Sequence, residues 1–506
     1  VTEPTGLGSP DDDRTGLAES PLTALRLEKL AALRSEGIDP YPVGAFTPDA
    51  HAADLAAEFD TLGPGESTGR RVTVAGRLVG RRDLGKLVFG VLQDGTGRIQ
   101  LFVQAATLGD RMDPFRSLDI GDWIGVGGEV VTTKRGELSV KVDEFVLLSK
   151  SLRPLPEKWQ GLQDVEKRHR RRYLDLIVND EARATMVARS RIVRELRDAF
   201  ERRGFIEVET PMLQIQAGGA LAKPFVTHHN ALGLDMYLRI APELYLKRLL
   251  VGGVERVFEL NRNFRNEGTS PRHNPEFTML EAYLAYADYN DVARLIEEVI
   301  SETAVAVLGT SVVTFEGRDV DLTAPFHRTT VLAALNEHTG VEFDTAMDYR
   351  EVVRRAGSLG IEVDGSWGVG KVIMEVFDAR VESELWQPTF VFDYPKEISP
   401  LARVHREDPG LTERFELIIA GREMANAFSE LNDPLDQRER FEAQAISRAE
   451  GDEEAHPIDE DFLTALEYGM PPAGGLGIGV DRVVMILTGR SSIREVILFP
   501  ALRPEK

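Results

Sequence analysis

Between Pro21 and about Gly37, Leu25, Leu27, Leu30 and Leu33 alternate with Arg, Lys and Glu, which predicts an amphipathic helix stopped at Gly37. The run Asp39-Pro40-Tyr41-Pro42 then forces an extended or turned path. Over residues 71–148 the pattern becomes short β-branched runs: Val72–Val79, Lys86–Leu92, Arg98–Val103, Trp123–Thr132 and Glu137–Leu147, with turns marked by Asp94-Gly95 and Arg135-Gly136. After Leu152-Arg153-Pro154-Leu155-Pro156 the period lengthens. Ile192, Val193, Leu196 and Phe200 fall at helical spacing before Gly204, and a strand ends at Pro211. Two strand-like runs, Arg256–Leu260 and Glu276–Tyr283, flank the polar loop NRNFRNEGTSPRHNP. An amphipathic helix is expected over Asp291–Leu308, followed by further helices before Trp367 that pack as an insertion.

These patterns predict a small five-stranded barrel of the OB type, followed by a larger domain mixing helices with antiparallel strands. The boundaries read as a disordered tail over 1–20, helix plus barrel over 21–150, a linker over 151–174 and the second domain over 175–506. OB barrels bind single-stranded nucleic acid through aromatics and polar donors, so Phe89 and Gln100 are candidates for that face or ordinary strand residues.

Composition narrows the chemistry. The chain has no cysteine, which excludes disulfides and thiolate metal sites. Its histidines are scattered, and the adjacent pair His228-His229 lacks zinc-site spacing. No apolar run approaches the roughly 20 residues of a membrane-crossing helix, and no basic-then-apolar leader is visible, so a cytoplasmic protein without membrane contact is expected. A formal net charge of −23 argues against non-specific coating of nucleic acid. The local basic run Lys167–Tyr173 is either a solvated face or a contact to a nucleic-acid backbone.

The loop between the two central runs concentrates Arg262, Arg265, Arg272, His273 and Glu267, a set suited to gripping a polyphosphate by charge-assisted, bidentate bonds. In the run that follows, Phe277, Met279, Glu281 and Tyr283 share one face, and a carboxylate beside a phenol is costly to bury unless something polar arrives between them. Glu243 reads either as a first-turn helix residue or as a ligand, and Gly218-Gly219-Ala220 as a turn allowing close backbone approach. A hairpin turn at Ala420-Gly421 sets Glu416 and Glu423 on one face. They are either a pair bridged to arginines or the carboxylates of a divalent cation, for which magnesium suits. Asn426, Phe428 and Glu430 have the opposite parity, so both sets serve one site only if the strand bulges near Met424 to Asn426. The glycines of Gly475–Arg482 lack GxGxxG spacing and a βαβ unit.

The run FRNEG…RHNPEFTMLEAYLAYADY resembles motif 2 of the class II aminoacyl-tRNA synthetases, specifically the bacterial-type lysyl-tRNA synthetases, and the resemblance extends from about Arg26 to Arg503. It implies an OB-fold anticodon-binding barrel joined to an α+β class II catalytic domain with an antiparallel sheet. The helix and strand ending at Pro211 resemble motif 1, which implies a homodimer; Gly475–Arg482 resembles motif 3. In the barrel, the run GRLVGRRDLGKLVFGVLQDGTGRIQLFV implies anticodon contacts through Phe89 and Gln100, near Arg77, Arg81 and Arg82. For ATP the resemblance implies Arg265 on the α-phosphate, Glu267, His273 and Asn274 fixing the nucleotide, Phe277 stacking on adenine, and Arg482 over adenine and at the γ-phosphate. Arg265 and Arg482 would be the catalytic pair. Glu416 and Glu423 would carry Mg2+ that bridges the ATP phosphates, which makes Glu416 an ATP-binding residue as well. For L-lysine it implies Gly219 and Glu243 at the α-amino group, Arg265 at the carboxylate, and Glu281, Tyr283, Asn426, Phe428 and Glu430 around the side chain, with Glu430 meeting the ε-ammonium.

The implied reaction is activation of lysine by ATP to lysyl-adenylate, then transfer to the 3′ end of tRNA(Lys), releasing AMP and diphosphate. Lysyl transfer to a protein and aspartyl- or asparaginyl-tRNA synthesis are the alternatives; retention of the barrel weighs against the first and the Glu430 carboxylate against the second. A pure nucleic-acid-binding module leaves both arginine-rich constellations unexplained.

Overall fold

The computed structural model describes residues 20–44, 46–156, 162, 164–220, 222–449 and 457–504. Residues 1–19, most of the expected tail, lie outside them. The chain divides into two compact units, Val1–Gly161 and Leu162–Lys506.

In the first unit a helix spans Pro21–Ser35, and Gly37 follows with positive φ. Its inward face differs from the leucine count: Leu25 is exposed, whereas Arg26 is buried and donates to the carbonyls of Ile120 and Arg153. Those fixed backbone acceptors make the inward turn of a guanidinium affordable. The barrel comprises β1 Ser67–Asp83, β2 Leu87–Gln93, β3 Arg98–Gln104, β4 Trp123–Thr132 and β5 Leu138–Ser149, closed in the order β1-β2-β3-β5-β4. Alternate residues such as Val72, Val74, Val88, Leu101, Val126 and Val140 fill its interior.

The second unit begins at Leu162, within the expected 151–174 linker. Most of the basic run forms two short helices, Val165–Arg170 and Arg172–Val178, and Arg172 is buried against Asp175 and the carbonyl of Leu498. Within the run His169 and Arg172 are buried, while Lys167, Arg171 and Tyr173 face solvent. Its strands are β6 Ile206–Glu207, β7 Leu213–Gln214, β8 Val226–His229, β9 Leu234–Leu238, β10 Arg256–Phe264, β11 Glu276–Ala285, β12 Val312–Phe315, β13 Arg318–Asp321, β14 His327–Thr330, β15 Thr389–Pro395, β16 Leu411–Ile418, β17 Glu423–Ser429 and β18 Ala473–Gly479. Eight form one sheet in the order β14-β15-β16-β17-β18-β11-β10-β6, parallel only in the outer pairs β14–β15 and β10–β6.

One face of this sheet is apolar. Leu280, Ala282, Phe415, Leu417, Ala425, Ala427, Leu476 and Ile478 pack there against the helices Asp180–Arg202, Tyr289–Leu308 and Val480–Thr488. Asp288 caps the second of these helices in a full capping box, a feature that stabilises a helix start by about 1 kcal/mol. The opposite parity forms the other face, which carries the site. The insertion helices Val331–Thr339, Tyr349–Ser358 and Val369–Arg380 build a separate core with Val391, Tyr394 and Ile418.

Candidate active site

Backbone register sets the floor of the site. Glu281 of β11 lies opposite Gly477 of β18, which lies opposite Asn426 of β17, which lies opposite Glu416 of β16. A second row runs Tyr283, Gly475, Phe428, Arg414. The middle strand contributes only glycine to these rows, so a trough runs between β11 and β17. Its depth needs those glycines: a Cβ on Gly475 would sit 1.8 Å from Glu430 Oε1 and 2.6 Å from the Tyr283 ring.

The parity conflict within β17 is resolved by a bulge. Leu417 pairs with Ala425 but Ile418 pairs with Glu423, leaving Met424 as the extra residue. Glu423 and Asn426 thereby reach the same face. The hairpin before it turns through Ala420 and Gly421, both at positive φ, as a two-residue turn of this hand requires.

One end of the trough is an open cleft lined by Arg265, Glu267, Arg272, His273, Asn274, Phe277, Glu423 and Arg482, among others. The Arg265 backbone N–H donates to Pro275 O at 2.9 Å, closing the base of the polar loop, and the Arg265 guanidinium lies 5.2 Å from the Phe277 ring centroid. Arg482 donates to the Glu423 carbonyl at 2.7 Å and to its carboxylate at 3.0 Å, and lies 3.4 Å from His273 Nε2. Behind it Asp481 is buried, accepts the Thr278 N–H at 2.7 Å and pairs with Arg189 at 2.6 Å, pinning the start of the Val480–Thr488 helix to β11. Asn274 spends its amide on Glu276 O and Ala501 N, so it holds the loop in position. Glu267 is exposed at the rim.

Glu416 and Glu423 are half-buried neighbours. Burial and the charge of Glu423 push the Glu416 carboxyl up to about 7. Burial alone would raise Glu423 too, but Arg482 holds it below its ordinary value. Among the described residues no group of three or more His, Asp or Glu side chains could by itself hold a metal ion. Two oxygen donors that repel each other nevertheless fit a hard divalent cation completed by phosphate oxygens.

The other end is a cluster of buried polar side chains. Gly219, at φ +91°, packs on Glu243; a Cβ there would approach the Glu243 Cβ to 3.0 Å. Glu243 opens the helix Glu243–Val251 without capping it, and its buried carboxylate accepts from Lys247 at 2.7 Å. Lys247 also pairs with Glu430, just past β17. Tyr283 donates to Glu281 at 3.4 Å, and Asn263 approaches the same carboxylate at 3.5 Å. Burial, with Glu243 adding repulsion, raises the Glu281 carboxyl to about 8; burial likewise raises Glu430 to about 8, against the opposing charge of Lys247. Asn426 accepts from Arg414 at 3.0 Å, and Arg414 also bonds Glu416 at 2.8 Å, tying pocket to cleft.

On the barrel, Phe89 and Phe102 stack with centroids 5.5 Å apart, half-exposed on the outer face. Gln100 shares that face and donates to Ser139 at 3.0 Å. Arg77 bonds the Gly121 carbonyl at 2.8 Å and lies over Trp123. Phe102 and Trp123 were missed in the sequence; alternation along β3, which puts Phe102 beside Gln100, was the available signal for the first.

An arginine-rich cleft joined to an acidic pocket on an antiparallel sheet, with an OB barrel in the same chain, defines a class. Residues 164–503 match the model for class II tRNA synthetases (D, K and N), and residues 72–148 match that for the OB-fold nucleic acid binding domain. The chain belongs to the class II tRNA synthetases. The lysine–tRNA ligase of Moorella thermoacetica is 55% identical over 490 residues, covering 97% of this chain and 99% of that one. That of Xanthomonas axonopodis pv. citri is 53% identical with both chains fully covered, and that of Nostoc punctiforme is 52% identical over 97% of this chain and 89% of its own. Within the class, the chain belongs with the lysine–tRNA ligases.

Proposed function

We infer that the enzyme joins L-lysine to tRNA(Lys) at the expense of ATP, and that the trough is where lysyl-adenylate forms. The observation that carries the residue assignment is the shared row geometry, which gives one continuous surface from the arginine cleft to the Glu430 pocket. ATP occupies the cleft, with Phe277 under adenine, Arg265 at the α-phosphate, and His273, Glu267 and Arg482 around the remaining nucleotide. Lysine lies in the trough, its carboxylate at Arg265, its α-ammonium at Glu243 and Gly219, and its ε-ammonium at Glu430 and Tyr283, with Glu281, Asn426 and Phe428 as walls.

The lysine carboxylate attacks the α-phosphorus in line and diphosphate departs. Arg265 meets the negative charge that develops on the phosphoryl oxygens, a role in which fixed donors are most effective. Members of this class act on ATP with magnesium, and Glu416 and Glu423 are the residues that would hold it. When bound, the ion neutralises phosphate charge. The 3′-terminal ribose hydroxyl of the tRNA then attacks the adenylate carbonyl, and AMP leaves.

Lysine-dependent pyrophosphate exchange followed by charging of tRNA(Lys) tests the whole reading; exchange with aspartate or asparagine and none with lysine would overturn it. Homodimerisation belongs to the same reading, supported by the exposed apolar residues Ile206, Leu213, Ile215 and Val226 on and beside short strands. A monomer by sedimentation at micromolar concentration would remove that part.

The barrel is read as the anticodon platform. Base–aromatic stacking contributes roughly 1–3 kcal/mol, so Phe89→Ala should lower tRNA charging efficiency about 5- to 150-fold. Pyrophosphate exchange should stay near the parental level. Equal loss of both activities with a lower melting temperature would make Phe89 a packing residue.

A further inference from the structure

The buried cluster at this end of the trough contains a cation that the mechanism has not used. Lys247 is fully buried at 0% exposure, and its ammonium is shared between Glu243 and Glu430, with the Phe428 ring centroid 5.3 Å away. Glu430 is 1% exposed, and its Oε1 has no hydrogen-bond partner. Resting on the assignment of Glu243 and Glu430 to the two ammonium groups of the substrate, we propose that Lys247 is a positioning residue that determines specificity: a resident ammonium that ties these two carboxylates together and sets how many positive charges the pocket still accepts.

The charge count follows from the surrounding elements. Glu243 and Lys247 come from one helix, Glu281 and Tyr283 from β11, and Glu430 from the end of β17. Glu259 of β10 is committed to Arg239 at 2.6 Å. Arg414 and Arg265 act on Glu243 and Glu281 through space. Once ionised, three carboxylates against one resident ammonium leave two charges open, the number that free lysine brings, while its carboxylate goes to Arg265. An amino acid with a single ammonium leaves one buried carboxyl either protonated or uncompensated, and so gains less from the site. Geometry adds to charge count. One ammonium bonded to both carboxylates fixes the end of β17 against the helix, and hence the spacing between the two ends of the substrate site.

The sign of the pH effect separates this role from packing. Without substrate, burial keeps protons on Glu281 and Glu430 up to about 8. Lysine must expel them, so its KM, expressed per lysine carrying both ammonium groups, should fall as pH rises and level off once both are ionised. Removing the Lys247 ammonium removes the attraction that favours ionised Glu430, so the Glu430 midpoint must move to higher pH. Lysine KM is measured by pyrophosphate exchange between about pH 6.5 and 9.5 for the parent, Lys247→Met, and the double variant Lys247→Met/Glu243→Gln. Lys247→Met keeps the length and apolar stem; its KM near pH 7 should rise about tenfold or more and keep falling with pH after the parent has levelled. The double variant also removes the Glu243 repulsion that raises both Glu281 and Glu430, so its KM stays raised while its midpoint falls back from that of Lys247→Met.

The proposal is overturned if Lys247→Met shows a parental profile or a KM raised by a factor independent of pH. Should Lys247→Met fail to fold, the double variant is compared with Glu243→Gln alone, and a midpoint no higher than that of Glu243→Gln overturns it as well. Failure of the underlying reading looks different: the parent itself would give no lysine-dependent exchange, or Glu430→Gln would leave its KM unchanged.

Discussion

Arg265→Ala is expected to lower lysine-dependent pyrophosphate exchange about 100- to 1000-fold, the usual loss when one preorganised donor to a developing oxyanion is removed. The arginine is well placed for so large an effect. Its backbone closes the base of the loop through Pro275, and its guanidinium lies over Phe277, so the cation is held before ATP arrives. The main-chain bond survives truncation to alanine, and the fold should persist, with a melting temperature close to the parent's. The loss should fall on kcat more than on lysine KM, because the contact strengthens as charge develops on the phosphorus. Exchange within threefold of the parent, in well-folded enzyme, would mean that another group stabilises that charge.

Glu430→Gln should raise the lysine KM about 100-fold or more while ATP KM changes less than about threefold. Removing one member of a buried ion pair costs about 3–5 kcal/mol because the partner is left uncompensated, and each 1.4 kcal/mol is about tenfold in affinity. Glutamine keeps the shape that fits above Gly475, so the change reports charge and not volume. Part of the cost falls on the free enzyme, since Lys247 keeps only Glu243, and a lowered melting temperature should accompany the KM change. An unchanged lysine KM would make Glu430 a structural partner of Lys247 alone and remove the best local support for lysine as substrate.

What could be read in advance follows a physical divide. Alternation along β11 placed Phe277, Glu281 and Tyr283 on the site face because Leu280 and Ala282 had to go inward. The need for a bulge in β17 was legible because two parities were asked to serve one site; register alone identifies Met424 as the extra residue. Lys247 was not legible. In APELYLKRLL a lysine reads as the polar side of a helix, and only the packing of that helix against β11 and β17 brings it among carboxylates. Arg26 and Arg172 fail for the same reason: long cationic side chains go inside when distant backbone carbonyls or carboxylates receive them, and those partners are far away in sequence.

The glycine row of β18 bears on how this scaffold can diversify. A strand whose site-facing positions carry no side chain offers nothing for substitution to exchange; almost any change at Gly475 adds atoms where Glu430 and Tyr283 already stand. The chemical alphabet available for choosing a different amino acid is therefore carried by β11, β16, β17 with Glu430 just past it, and the Glu243 helix. Drift in substrate preference should travel along those elements while the bare strand among them stays invariant as their common datum.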